Sequence, residues 1–145
     1  MAGGAGAAIQ LGSTLEVAHV GDARVWRFAA GVLQPLTRDH RLVEDLLAAG
    51  MIRPDEMKTH LHHRVLTRGV GMRVSQPLVE AKTVDAQPGE VILLSTKGLH
   101  DHVEPEPMQA VLQRGGPLDA MADALLALAV TAGDRDNATA VLVRL

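Results

Sequence analysis

Short apolar segments separated by glycine-containing turns make up the chain from residue 7 to residue 36. Short runs bounded by turn residues are typical of β-strands joined by tight connections, so we expect an antiparallel meander here. In the third segment, Trp26 and Phe28 are two residues apart and therefore share one face of the strand. A sheet covered on one face accounts for this pattern. The segments are AAIQL, TLEVAHV, ARVWRFA and VLQPL, divided by Gly12-Ser13, Gly21-Asp22 and Ala30-Gly31.

Helical and strand patterns alternate in the rest of the chain. Apolar residues at helical spacing run from residue 42 to residue 47 and end before Gly50, a residue favoured just after a helix. Pro54 followed by two acids indicates the start of a second, shorter helix. The order of strands, helices, strand, helices and strand along the chain favours an α+β layered architecture over regular βαβ units. Helices are expected at 41–49, from 54, at 106–113 and at 117–132, and strands near 78–84, at 90–95 in the sheet centre, and at 138–145.

Composition limits the class of protein. With 145 residues and 47% hydrophobic content, the chain is expected to form a single domain over residues 1–145. The formal net charge is -3, so the chain does not have the excess of basic residues that is typical of nucleic-acid-binding proteins. The sequence contains no cysteine, and no apolar run approaches the roughly 20 residues of a membrane helix. We therefore expect a cytoplasmic protein that binds neither nucleic acid nor membrane.

Six landmarks occur in one order over almost the whole chain: HVGDARVWRF, LTRDH, AAG after the first helix, VLTR, PGEVILLSTKGLHDHV and GDRDNATAVLV. Together they resemble the metal-dependent type 2C serine/threonine protein phosphatases, whose corresponding landmarks look like GDSR, LTxDH, LTR, SDGL-D and GxxDN. The resemblance implies a partial β-sandwich, with antiparallel sheets flanked by antiparallel helices. The family's first metal-binding segments have no counterpart here. The chain is therefore expected to correspond to the later part of the phosphatase domain.

The resemblance also implies a set of metal ligands. Asp136, Asp22 and Asp101 match acids that the family associates with divalent metal, and His100 and His102 are close in sequence to Asp101. Mn or Mg is the cofactor that the family suggests, and Zn is possible through histidine. Asp22 and Asp136 could instead serve only as turn formers, and the histidines as solvated loop residues.

Lys97 is the main departure from the family pattern. It stands where the SDG landmark of the family has a metal-binding carboxylate, and an ammonium group repels a metal ion. We expect Lys97 and Asp136 to be the catalytic residues, and Lys97 and Arg24 to bind phosphate. The alternative is that Lys97 merely pairs with Asp136 after the metal chemistry was lost.

Two functions remain open at this point. The first is a metal-dependent hydrolase of phosphate esters with a non-standard active site, derived from a type 2C phosphatase. The second is a non-catalytic remnant of such a phosphatase that acts as a binding module. Because a sandwich without its opening strands exposes apolar surface and a sheet edge, a homodimer that covers the missing half is also expected.

Overall fold

Two antiparallel sheets form the framework of the protein in its computed structural model, which describes residues 3–72, 79–133 and 137–145. The first sheet has the strand order β1-β2-β5, and the second has the order β4-β3-β6-β7. The strands are β1 (Ala5–Leu11), β2 (Thr14–Val20), β3 (Arg24–Ala29), β4 (Val32–Pro35), β5 (Glu80–Asp85), β6 (Val91–Ser95) and β7 (Ala140–Arg144). The expected α+β class with antiparallel sheets is confirmed, and β6 lies inside its sheet as predicted.

The helices are α1 (Leu42–Ala48), α2 (Lys97–His100), α3 (Pro105–Arg114) and α4 (Leu118–Thr131). Three of them agree with the sequence patterns, whereas the short α2 was not foreseen. The helix expected from Pro54 is a single 3-10 turn, Pro54–Glu56, in which the Arg53 amide donates to the Glu56 carboxylate. In the parts of the chain that the structure describes, no helix is both long and apolar enough to span a bilayer.

The connection between β2 and β3 shows that the expectation of one continuous meander is wrong. β1 and β2 pair in one sheet, whereas β3 and β4 pair in the other, so the chain changes sheet at residues 21–23. A glycine-containing turn between two apolar runs has the same sequence pattern in a hairpin and in a crossing between sheets. The local pattern therefore could not decide between them.

Two apolar cores lie on the two faces of the second sheet. Trp26 packs with residues of α3 and α4 in one core, and Val25 packs with residues of the first sheet in the other. Both side chains are fully or almost fully buried, so β3 is covered on both faces. The expected sheet covered on one face is therefore wrong for this strand, because the second sheet lies between the helices and the first sheet.

Two outer strands leave apolar side chains exposed. Ile9 and Leu11 of β1 are each 59% exposed, and Val141 and Val143 of β7 are 48% and 44% exposed. The two β7 residues pair with Leu94 and Ile92 of β6, both of which pack into the core between the sheets. The inner face of the sandwich is therefore open to solvent beside β7.

Candidate active site cleft

Four segments from distant parts of the chain meet at one end of the sandwich. They are the crossing at residues 21–23, residues 39–41 before α1, the end of β6, and the turn after α2. They line a cleft of ≈ 670 Å³. Among the residues that line it are Asp22, Arg24, Arg41, Lys97 and Asp101. We call this space the cleft.

Two glycines fix the crossing that carries Asp22. A Cβ atom on Gly4 would lie 2.6 Å from the backbone nitrogen of Ala23 and 2.7 Å from that of Asp22. Gly21 has a positive φ of 87°, and a Cβ there would lie 2.5 Å from the Cα of Gly4. Since only glycine permits such an approach, the start of β1 and the crossing hold each other in place.

Asp39 is a buried carboxylate held by Arg24. The Nε and Nη2 atoms of Arg24 donate to the two carboxylate oxygens of Asp39, over 2.7 and 2.9 Å. The guanidinium also lies 5.6 Å from the ring centroid of Trp26, on the same strand. Two parallel hydrogen bonds fix the orientation of the two side chains relative to each other and also pair their charges. Arg24 therefore has a structural task in addition to facing the cleft.

Arg41 contacts three carboxylates. Its Nη1 and Nη2 atoms donate to Oδ1 and Oδ2 of Asp101, over 3.0 and 2.9 Å. Nη2 also lies 3.4 Å from Oδ2 of Asp22, and Nε lies 3.3 Å from Oδ2 of Asp39. Burial of the guanidinium opposes its charge, but Asp101, Asp39 and Asp22 outweigh that effect and raise the pKa of Arg41 above its ordinary value. Each of the three acids therefore already contacts a guanidinium group of the protein.

A buried hydrogen-bonded chain lies beneath the cleft. The indole Nε1 of Trp26 donates to Oγ of Ser95 over 2.9 Å, and Oγ of Ser95 lies 2.8 Å from Nδ1 of His100. Burial, followed by the charge of Arg24, lowers the pKa of His100 to about 3. His100 is therefore a neutral imidazole at physiological pH.

A second group of His and Glu side chains lies near the crossing. His19, His40 and Glu80 have ligand atoms within 4.8 Å of one another. The amide of Gly21 donates to Nδ1 of His40, so the proton of the neutral ring is on Nε2, which faces Glu80 over 3.2 Å. Burial lowers the pKa of His40, and the hydrogen bond from His40 lowers the pKa of Glu80. With Nε2 acting as a donor to Glu80, this group is a hydrogen-bonded network and not an arrangement ready for metal.

The predicted site residues that the structure describes share the cleft. Asp22, Arg24, Lys97, Asp101 and the two histidines all line it. His100 is buried at its base and His102 is exposed. The cleft also includes Asn137. The remaining predicted residue, Asp136, lies outside the described residues, so its roles as metal ligand and catalytic residue stay predictions.

Three residues of this region were missed from the sequence: Asp39, Arg41 and Ser95. Asp39 belongs to the LTRDH landmark, which therefore carried a signal for it. The sequence pattern indicates Arg41 only as the start of a helix, and Arg41 is the residue just before α1. Its partner Asp101 is 60 positions away, so only the fold could reveal the contact.

A divalent metal ion, which the resemblance implies, fits the described residues in ligand type but not in their present arrangement. Asp39, His100 and Asp101 offer ligand atoms within 4.8 Å of one another, as carboxylates and an imidazole suited to such ions. However, both oxygens of Asp39 and of Asp101 contact guanidinium groups. A divalent cation at this position would therefore be repelled by the guanidinium groups of Arg24 and Arg41, which lie a few ångströms away.

Comparison with known proteins gives a consistent result, although no family model matches the chain. Protein phosphatase PhpP of Streptococcus pneumoniae is 31% identical over 144 residues, which cover 92% of this chain and 58% of PhpP. The solved serine/threonine phosphatase of S. agalactiae superposes with a TM-score of 0.89 at 27% identity, covering 95% of this chain and 57% of that one.

A third comparison concerns the metal. The catalytic domain of the phosphatase PstP, solved in complex with two manganese ions, superposes with a TM-score of 0.77 at 27% identity, over 93% of this chain and 55% of that one. The chain thus spans little more than half the length of the relatives that it matches. Over almost all of its own length, this chain is a partial homologue, at about 30% identity, of the 2C-type serine/threonine phosphatases, which are hydrolases of phosphoric esters.

Proposed function

We propose that this chain is a phosphatase-derived module that binds phosphate esters of serine and threonine in the cleft without hydrolysing them. The observation that carries the proposal is the pairing of Asp22, Asp39 and Asp101 with the guanidinium of Arg41. These acids are engaged with cations of the protein and are not available as free metal ligands. A lysine, Lys97, also stands in the cleft where the family pattern has an acid.

The charges around the cleft predict weak, salt-dependent binding. Basic and acidic side chains are equal in number among the described residues that line it. The bases are Arg24, Arg41, Lys58, Arg64 and Lys97, and the acids are Asp22, Asp39, Glu44, Asp101 and Glu104. A phosphate ester must therefore compete with carboxylates for these cations, and its binding should weaken as ionic strength rises.

Binding to a phosphothreonine peptide, compared with the same peptide unphosphorylated, tests this function. We expect the phosphopeptide to bind more tightly, with fluorescence anisotropy as the measurement. Lys97→Ala should weaken binding about fivefold, corresponding to roughly 1 kcal/mol for an ion pair of an exposed lysine. Lys82→Ala, on exposed β5 and outside the cleft, is the matched control and should leave the affinity unchanged. Equal affinity for both peptides would count against the proposal.

A second candidate function is metal-dependent hydrolysis of the same esters. It is favoured by the short distances among the ligand atoms of Asp39, His100 and Asp101. Release of phosphate from a chromogenic ester, with Mn²⁺, Mg²⁺ or Zn²⁺ and then with chelator, distinguishes the two functions. We expect no release with any of the three ions. Turnover that chelator abolishes would establish the hydrolase and contradict non-catalytic binding.

We also propose that a second copy of the chain covers the open part of the sandwich. Among the described strands, β7 pairs only with β6, and its inward positions Val141 and Val143 are exposed. Such an edge can pair with another strand, and its apolar positions favour burial. Light scattering should show a dimer at micromolar concentration, and Val143→Lys should convert it to a monomer. Val130→Lys, on the exposed face of α4, is the matched control. A compact wild-type monomer would contradict the dimer.

Two expectations from the sequence remain predictions. One is that residues 1–145 form a single domain matching the later part of the phosphatase domain. The other is a cytoplasmic location.

A further inference from the structure

The Arg41 guanidinium lies at the centre of a charge cluster at the base of the cleft. Its contacts with the carboxylates of Asp22, Asp39 and Asp101 lie between 2.9 and 3.4 Å. The Arg41 side chain is only 11% exposed, and that of Asp39 is 1% exposed. Among these three acids, Asp39 is also held by Arg24, whereas the guanidinium contacts of Asp22 and Asp101 come from Arg41.

A fourth potential metal ligand, the imidazole of His100, lies beside these carboxylates. His100 is 7% exposed, and a nitrogen of its ring lies within 4.8 Å of carboxylate oxygens of Asp39 and Asp101. Its Nε2 atom makes no hydrogen bond of normal geometry among the described residues. The backbone of Asp22 lies nearby and partly offsets the lowering of the pKa of His100. Carboxylates together with an imidazole form a donor set that suits Mn²⁺ and Zn²⁺.

We propose that the Arg41 guanidinium is the resident cation of this cluster in place of a divalent metal ion, and that removing it converts the cluster into a metal site. A guanidinium presents five donors in a plane and can meet several carboxylates at once, which a metal would do by direct coordination. A dication and the guanidinium cannot occupy the same position among the acids, since like charges at such distances repel. This inference does not depend on whether the cleft binds a phosphate ester.

Binding of Mn²⁺ to the purified full chain tests the inference, with loss of the free-ion signal in electron paramagnetic resonance as the readout. Wild-type protein should bind Mn²⁺ no better than Arg53→Ala, which removes a surface arginine. Arg41→Ala should bind one Mn²⁺ at least about tenfold more tightly than wild type, and Mn²⁺ should raise its melting temperature. Asp101→Asn added to Arg41→Ala should abolish both effects.

Arg41→Gln provides a second variant, because its amide retains hydrogen bonds to the carboxylates without the charge. If Arg41→Ala unfolds without metal, recovery of folded protein on refolding with Mn²⁺ supports the inference. Failure of that recovery, together with no Mn²⁺ binding by folded Arg41→Gln, would overturn it. Binding of Mn²⁺ by wild type as tight as by Arg41→Ala would overturn it as well.

Discussion

The guanidinium of Arg41 meets the carboxylate of Asp101 through two parallel hydrogen bonds, Nη1 to Oδ1 at 3.0 Å and Nη2 to Oδ2 at 2.9 Å. This contact joins the start of α1 to the turn after α2 across 60 positions of the chain. It brings together two parts of the cleft, and it neutralises one of the acids that the sequence had indicated as a metal ligand.

Asp101→Asn should destabilise the protein. The change removes one of three negative charges around Arg41, and the amide cannot accept both guanidinium bonds. We expect a loss of about 1–3 kcal/mol in the free energy of unfolding, because Asp22 and Asp39 remain near the buried cation. Urea denaturation provides the measurement.

Asp55→Asn is the matched control for that change. Asp55 also pairs with an arginine, Arg53, but both side chains are 71% exposed. Exposed pairs of this kind contribute little, so the urea midpoint should scarcely change. Equal effects of the two substitutions would show that the Arg41–Asp101 contact contributes no more to the free energy of unfolding than an exposed ion pair does.

Ser95→Ala should also destabilise the protein. The hydroxyl group of Ser95 lies between Nε1 of Trp26 and Nδ1 of His100, and all three side chains are buried. Its removal leaves two buried ring nitrogens without that partner, at an expected cost of about 1–3 kcal/mol in unfolding free energy. Ser13→Ala, in the exposed turn before β2, should have no such effect in the same denaturation experiment. Unchanged stability of Ser95→Ala would contradict the importance of the hydrogen-bonded chain.

Stability should fall as the pH decreases from 6.5 towards 3. The pKa of His100 is lowered from 6.5 to about 3 in the folded protein, so in this range the unfolded chain binds a proton that the folded chain does not. The contribution of His100 is complete above pH 6.5 and is lost on acidification, at about 1.4 kcal/mol per unit of pKa difference. The lowered pKa of His40 acts in the same direction.

Melting temperatures measured across this pH range, for wild type and His100→Asn, provide the test. The asparagine amide can still meet Ser95, but it does not titrate, so the variant should show a shallower decline. His62→Gln, which changes an exposed histidine, should follow the wild-type curve. A slope unaltered by His100→Asn would show that His100 does not contribute to acid sensitivity.

Gly4→Ala should disturb the crossing that carries Asp22 into the cleft. The added Cβ would approach the backbone nitrogens of Asp22 and Ala23 within 2.7 Å, so the crossing or the start of β1 must move. Overpacking of this kind costs about 1–3 kcal/mol. At Gly3, a Cβ has nothing within 4 Å, so Gly3→Ala is a matched control one residue away. Thermal unfolding should separate the two variants, and equal melting temperatures would contradict the close approach.

The sequence predicted those parts of the fold that depend on local pattern. α1, α3 and α4 follow from the spacing of apolar residues, since that spacing is the same whatever each helix packs against. The change of sheet at residues 21–23 depends on which strands pair, and the turn chemistry there did not specify it.

The candidate site was predicted in the same partial way. The landmarks indicate Asp22 and Asp101, and both residues line the cleft, whereas their roles as metal ligands stay predictions. Arg41 was missed because a residue at the start of a helix gives no sign of where its long side chain ends. Its contacts with three acids from separate segments exist only in the folded chain.

A crystal structure of the wild-type protein grown with Mn²⁺, with diffraction data collected at the manganese absorption edge, would show whether Arg41 or a metal ion lies among the acids. We expect the Arg41 guanidinium between Asp22 and Asp101, with no anomalous peak among Asp22, Asp39 and Asp101. A manganese peak coordinated by these acids, with the Arg41 side chain displaced, would contradict this expectation.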